Sequence, residues 1–322
     1  MPSMPDGGPK VGFRAGCLLV VLLSVARGSS FLFSKSLLGG MGPLNLLGIR
    51  FLLAFFVLFL PFRRKVIADL RANPRIIWAS LLLGVVYFLC MAAELTGLQF
   101  TTASTCSFLE NSAIVVVPAA EALLLRRFPK PEVIASAAVT FAGIGLIVLG
   151  GPAADAGPGM QLGMGEALCM VAALTYAAAI IITDRVSKEF DPLTFGILYV
   201  GFMGLLGMAA SFAFEAPHLP QDGPQWLMVL ALAVLCTAFG FAIQPVAQRP
   251  LSAETTGILC AINPLTTAVL GWLLMGDALG TPGIAGATLV LAGIALPNIR
   301  LQWLKRPWMR HPASERPLRR VR

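Results

Sequence analysis

Apolar runs of about twenty residues, each ended by a short polar break, fill the chain from Phe13 to Pro297. A helix rises 1.5 Å per residue, so ~20 residues cross the ~30 Å hydrocarbon core of a bilayer. Each run therefore reads as a transmembrane helix. The breaks give ten spans: 13–38, 43–62, 76–98, 102–125, 133–149, 163–183, 192–214, 225–247, 252–275 and 282–297. Phe13 to Ala26 also has the outline of a secretory leader. Its apolar character resumes at Phe31, however, and the segment has a later copy, so it is read as the first span.

Two spans depart from plain apolar character. In 101–127, Ser107, Glu110, Ile114, Pro118 and Glu121 recur at steps of three or four, which puts Glu110 on one helical face with other polar groups. In 252–277, Thr256, Cys260, Asn263 and Thr267 form a similar stripe, interrupted by Pro264. An ionisable group at membrane depth is costly unless it faces protein or water. Proline-interrupted polar spans in both halves of one chain point to a transporter's binding site. Pro118 and Pro264 are the expected hinges.

The basic residues fall on one side. Arg14, Arg63, Arg64, Lys65, Arg126, Arg127, Arg185, Lys188, Arg249 and the tail at 301–322 flank one set of span ends. The opposite loops (39–42, 99–101, 150–162, 215–224 and 276–281) hold no Lys or Arg. The positive-inside rule then places both termini in the cytoplasm, which requires an even number of spans. Trp78 and Trp226 fall at the expected interfaces.

The two halves repeat weakly. Gly16, Pro43 and Leu44 align with Gly165, Pro192 and Leu193 at one constant offset, and AGIGL at 142–146 aligns with AGIAL at 292–296 one residue further on. Residues 13–150 and 163–300 thus form two five-span units, followed by a basic cytoplasmic tail at 301–322. An odd number of spans per unit inserts the second copy upside down, as an inverted repeat. The expected fold is an all-α membrane protein of ten transmembrane helices.

Composition agrees. The 322 residues are 57% hydrophobic and 12% charged, against ~25% charged in soluble proteins. The net charge of +8 sits beside the membrane, so it is assigned to topology and lipid contact rather than to nucleic acid. The six cysteines lie inside apolar runs and read as packing residues. No metal, cofactor or nucleotide motif is found, and no catalytic arrangement of His/Asp or Ser/His type, so the chain does not read as an enzyme.

Several segments resemble the EamA-type branch of the drug/metabolite transporter superfamily. Arg27-Gly28-Ser29-Ser30-Phe31 through Lys35 looks like that family's first-span opening, with Arg27 where tryptophan is usual. Arg50-Phe51 with Ala54 looks like its second-span element. Gln248-Arg249, Asn263-Pro264 and Gly276-Asp277 are similar to its eighth-to-ninth span pattern. The resemblance implies a basket in which spans 1, 3, 4, 6, 8 and 9 surround a cavity, and transport of small metabolites, often as export.

Arg27, Arg50, Glu94 and Glu110 lie in the outer-to-middle layer of spans 1 to 4, with Arg27 ~15 Å below the outer surface. Arg50 is expected to pair with a glutamate. In the second half the matching positions are neutral: Tyr176 for Arg27, Tyr199 for Arg50 and Cys260 for Glu110. The candidate substrate-binding residues are Arg27, Phe31, Arg50, Tyr87, Glu94, Glu110, Asn111, Tyr176, Gln244 and Asn263. Arg27 suits a carboxylate or phosphate, Glu110 or Glu94 an amine, and the aromatics an apolar body. The expected function is alternating-access export of a small polar or amphoteric, amino-acid-like metabolite across the inner membrane. A coupling proton, membrane lipids and a second copy of the chain are kept open as partners. A proton-coupled multidrug exporter remains an alternative, as does, from another class, an intramembrane enzyme or lipid-handling scaffold.

The charge asymmetry generates a topology test. A reporter fused after Arg322 and a tag beside Asp155 should lie on opposite sides of the membrane, read by protease protection in sealed vesicles. Finding both on one side contradicts the inverted repeat.

Overall fold

The computed structural model describes residues 12–113, 116–117, 131–149, 163–251, 256, 259–260, 262–276 and 280–304. They fall in ten helical elements: α1 (Phe13–Leu37), α2 (Pro43–Ala72), α3 (Arg75–Phe100), α4 (Ala103–Asn111), α5 (Pro131–Leu149), α6 (Met164–Val186), α7 (Pro192–Phe214), α8 (Gly223–Gln248), α9 (Ile262–Met275) and α10 (Thr281–Leu304). Six of these (α1, α2, α3, α6, α7 and α8) are long and apolar enough to cross a bilayer. Shorter apolar helices lie within α5, α9 and α10. Pro118, Glu121 and Asp277 lie outside the described residues.

Burial is arranged as a membrane requires. Large apolar side chains such as Leu22, Leu60, Trp78, Leu89, Phe212 and Leu274 point outward. Arg27, Arg50, Glu94 and Glu110 are inside, each at most 6% exposed. The helices of the two halves pair symmetrically. The seams α2–α7 and α5–α10 each join one helix to its counterpart in the other half. The α3–α6 seam is matched by α8–α1, and α1–α9 by α6–α4.

Without a hydrophobic drive between helices in lipid, close backbone approach does the work. Gly48 on α2 meets α7 so closely that an added Cβ would lie 2.7 Å from the Met208 nitrogen. A positive φ of 69° at Gly276 ends α9, a conformation that L side chains adopt rarely.

Two elements differ from the sequence expectation. First, α2 continues past Phe62 to Ala72. The basic segment leaves the bilayer but stays helical until Asn73–Pro74, and Lys65 pairs with Asp191 of the α7 N-cap at 2.6 Å. Burial opposes ionisation of Asp191, but Lys65 and the Thr194 N–H outweigh it and hold the carboxyl below its usual range. Second, α8 is not a plain helix: Leu232–Ala242 is wound as a π-helix and Ile243 breaks the ladder before Gln244–Gln248. Pro245 has no N–H to give the Phe241 carbonyl four residues back. The Tyr199 hydroxyl of α7 donates to that carbonyl instead.

The glycine seam yields a stability prediction. Gly48→Val should destabilise the purified protein by about 1–3 kcal/mol, as overpacked cores do, read as a lower thermal midpoint in detergent. Gly145→Ala should leave the midpoint unchanged or raise it, because its Cβ would meet nothing within 4 Å.

Candidate functional site

The polar positions of α1 recur at helical spacing: Ser24, Arg27, Ser30 and Ser34 all face the interior. Arg27 stands at the centre. Its Nη1 donates to the Tyr176 hydroxyl at 2.8 Å and its Nη2 to Glu110 Oε1 at 3.2 Å. The guanidinium also lies over the rings of Tyr176 (4.5 Å) and Phe241 (4.7 Å). Arg27 and Tyr176 are repeat counterparts, so their hydrogen bond joins equivalent positions of the two halves. Three residues, from α4, α6 and α8, thereby converge on one cation of α1.

The expectation for Arg50 needs correction. No carboxylate among the described residues forms a salt bridge with it. Its Nε donates to Thr237 Oγ1 (3.1 Å), and Nη1 and Nη2 to Ser34 Oγ (3.2 Å) and Ser30 Oγ (3.5 Å). Hydroxyls on α1 and α8 thus cradle a fully buried cation. The Lys35 ammonium donates to the Leu98 (2.6 Å) and Thr101 (2.9 Å) carbonyls, capping the C-terminal end of α3, where the helix dipole favours a cation.

Glu94 of α3 and Glu110 of α4 bring their carboxyl groups within hydrogen-bonding range of each other. They can share a hydrogen bond when one carries a proton. One oxygen of each, Oε2, has no hydrogen-bond partner among the described residues, and neither does Asn263 Oδ1. Buried acceptors without donors are costly, and they accumulate where a ligand supplies the missing donor.

The remaining candidates form a second tier. Tyr87 donates to Gln244 Oε1 at 3.3 Å and stacks on Tyr199, ring centres 5.5 Å apart. Asn263 Nδ2 donates to Asn111 Oδ1 at 3.3 Å, and Asn111 Nδ2 to the Ser107 carbonyl at 2.8 Å. Thr267 reaches both the Gly28 carbonyl (3.0 Å) and Ser107 Oγ (3.1 Å). Phe31 stands apart, packed with Leu98, Cys106 and Phe108 in a separate apolar cluster. Pro264 is buried in the first turn of α9.

A narrow cavity runs beside Arg27 towards the Val20 and Gln248 end of the bundle. Ser24, Arg27, Tyr176, Gln244, Gln248, Cys260 and Asn263 supply its polar lining, and its open volume is ≈ 10 Å³. That is room for about one water molecule. The conformation is closed, and a metabolite enters only if the helices part. On the other side of the bundle Glu215 accepts from the Leu44 (2.9 Å) and Asn45 (2.7 Å) N–H groups, capping the N-terminus of α2.

Arg27, Tyr87, Glu94, Glu110, Asn111, Tyr176, Gln244 and Asn263 thus form one connected interior, while Arg50 occupies a neighbouring cradle. Sequence reasoning missed Phe241, Gln248 and the Arg50 hydroxyls. Ser30 and Ser34 were legible on the Arg27 face of α1. Phe241 had no signal, because the π-turns of α8 shift its direction.

The family model described as "EamA-like transporter family" matches residues 14–149 and again 163–299. A protein of Archaeoglobus fulgidus named "Uncharacterized transporter" is 26% identical over 287 residues, 88% of this chain and 96% of the relative. One of Chlamydia muridarum named "S-adenosylmethionine/S-adenosylhomocysteine transporter" is 25% identical over 276 residues, 83% of this chain and 86% of the relative. A solved structure superimposes with a TM-score of 0.66 at 15% identity, covering 90% of this chain and 99% of that one.

The buried pair generates its own prediction. Glu110→Gln or Arg27→Gln alone should lower stability by about 3–5 kcal/mol, because each strands its partner in a dry interior. The double change should cost less than the sum of the two, read from thermal midpoints. Additive losses would show that the two groups do not depend on each other.

Proposed function

Because the chain belongs to the EamA-like transporter family, whose model covers both its halves, we propose that this transporter carries a small amphoteric, amino-acid-like metabolite out of the cell. It moves the substrate across the inner membrane by alternating access, with both termini in the cytoplasm. The substrate's carboxylate engages Arg27, and its amine or other cationic group engages Glu110 or Glu94.

The observation that carries this reading is the cluster at Arg27. The cation lines the cavity, and the carboxyl groups behind it keep unpartnered oxygens. A ligand bearing both charges satisfies both sets at once, whereas an ion of one sign leaves the other buried and uncompensated. Tyr87, Tyr176 and Phe241 offer ring faces to a cationic or planar part. The Chlamydia relative's printed name supports the same chemistry, since S-adenosylmethionine joins a carboxylate, an amine and a sulfonium to a planar base. The charge asymmetry of the loops supports the orientation.

A second reading, proton-coupled export of organic cations, draws on the facing carboxyl groups of Glu94 and Glu110. Arg27 opposes it, because a fixed cation beside the cavity repels a substrate of the same sign.

The test is ligand-induced stabilisation of the purified full-length protein. S-adenosylmethionine, S-adenosylhomocysteine, free amino acids, nucleosides and organic cations are compared. A ligand that binds only the folded state at a hundred times its Kd stabilises by about 2.7 kcal/mol. Carboxylate-bearing amphoteric ligands should raise the midpoint. Arg27→Gln should abolish the shift, and adding Glu110→Gln should not restore it. Equal shifts from adenosine or from simple cations would sink the amphoteric reading, as would full binding by the double variant.

A further inference from the structure

The outer end of the bundle carries a feature that substrate handling does not use. Cys106 on α4 and Cys169 on α6 bring their sulfur atoms to 2.8 Å. That is closer than unbonded sulfurs rest, against about 2.05 Å in a disulfide. Both residues are wholly buried. They belong to different halves of the chain, the matched segments 14–149 and 163–299. Each lies within two turns of the helix end that adjoins a loop without Lys or Arg.

The pair is held by backbone contact rather than by side-chain chance. Gly97 of α3 and Gly165 of α6 touch so tightly that a Cβ on Gly97 would lie 2.9 Å from the Gly165 carbonyl oxygen and 3.1 Å from Cys169 Sγ. That contact presses α6 towards the α3–α4 corner, where Thr101 Oγ1 also donates to Glu166 at 2.8 Å. The other thiols do not pair in this way: Cys90 donates to the Ala172 carbonyl, and Cys236 lies against Ser29.

We propose that Cys106 and Cys169 are a redox-sensitive cross-link between the two repeats. Reduced, they let α4 and α6 separate at their outer ends. Oxidised, they staple the halves together and hold the outer side shut. The new bond joins Sγ to Sγ. The two thiol protons and two electrons pass to a disulfide-bearing oxidant of the outer compartment, which leaves as two thiols. Because both sulfurs are buried, the exchange needs the outer end open. Reclosure then traps the product.

The test uses the full-length protein in liposomes, with diamide as oxidant. Diamide takes up the two hydrogens as its hydrazine. After denaturation, a maleimide of high mass counts the free thiols. Two of the six cysteines should lose reactivity on oxidation and regain it with a phosphine reductant. Peptide mass spectrometry without reduction should find residues 106 and 169 joined. Cys106→Ser and Cys169→Ser should each keep every remaining thiol reactive; Cys106→Ala replaces the serine variant if that one fails to insert. In the oxidised wild type, amide exchange at the outer ends of α4 and α6 should slow by about tenfold or more and recover on reduction. Retention of all six thiols, or thiol loss that persists in the single variants, overturns the cross-link. Unchanged amide exchange in a fully oxidised sample overturns its role as a staple.

Discussion

A charge inside a bilayer is tolerated only while its partner stays in place, and the Arg27–Glu110 pair is the contact on which the centre of this molecule depends. The pair links α1 to α4. The Arg27–Tyr176 bond extends the link to α6 and the Phe241 ring to α8. Four of the helices expected to surround the cavity therefore meet on one guanidinium. Any motion that opens the cavity must rearrange these contacts, and the rearrangement is affordable only if something else satisfies the charges. The amphoteric substrate proposed above would do so, and would couple binding to helix movement without a separate trigger.

Around this centre the two repeats are unlike in chemistry and alike in form. The first half supplies both guanidinium groups and both carboxyls. The second half answers with Tyr176, Phe241 and Thr237, which bond to or lie over the guanidinium groups, and with Gln244 and Asn263, which bond to neutral side chains of the first half, without adding charge of their own. The glycine contacts between paired helices fix the frame. The hydrogen bonds from Lys35 to the end of α3 and from the start of α2 to Glu215 use helix termini rather than ion pairs. Such caps contribute about 1 kcal/mol each, small enough to break and reform during a transport cycle.

Much of this was legible in the sequence, because lipid imposes simple rules. Span order, the repeat and the convergence of Arg27 with Glu110 follow from hydropathy, charge side and helical spacing. The repeat offset named Tyr176 as the counterpart of Arg27 but not their contact. What escaped was set by backbone detail. Charge count ended α2 at Phe62, but charge does not end a helix, and Lys65 and Asp69 found partners on α7. The hinges expected at Pro118, outside the described residues, and at Pro264 are joined by a break at Pro245, where the freed Phe241 carbonyl is met by Tyr199. No periodicity marks a π-helix, so Phe241 gave no sign that it would face Arg27. A carboxylate partner is the usual expectation for a cation in a membrane, and for Arg50 three hydroxyls serve as the contacts.

In the proposed cycle the groups around Arg27 line a path open to each side of the membrane in turn. Its most direct measurement is reagent access to one cysteine at position 244, Gln244→Cys, in a chain whose native cysteines have been replaced. Membrane-impermeant maleimide is applied to right-side-out and inside-out vesicles. Labelling is expected from both sides, slowed on both by a bound substrate. Labelling from one side only, at any temperature and with any ligand, would contradict it.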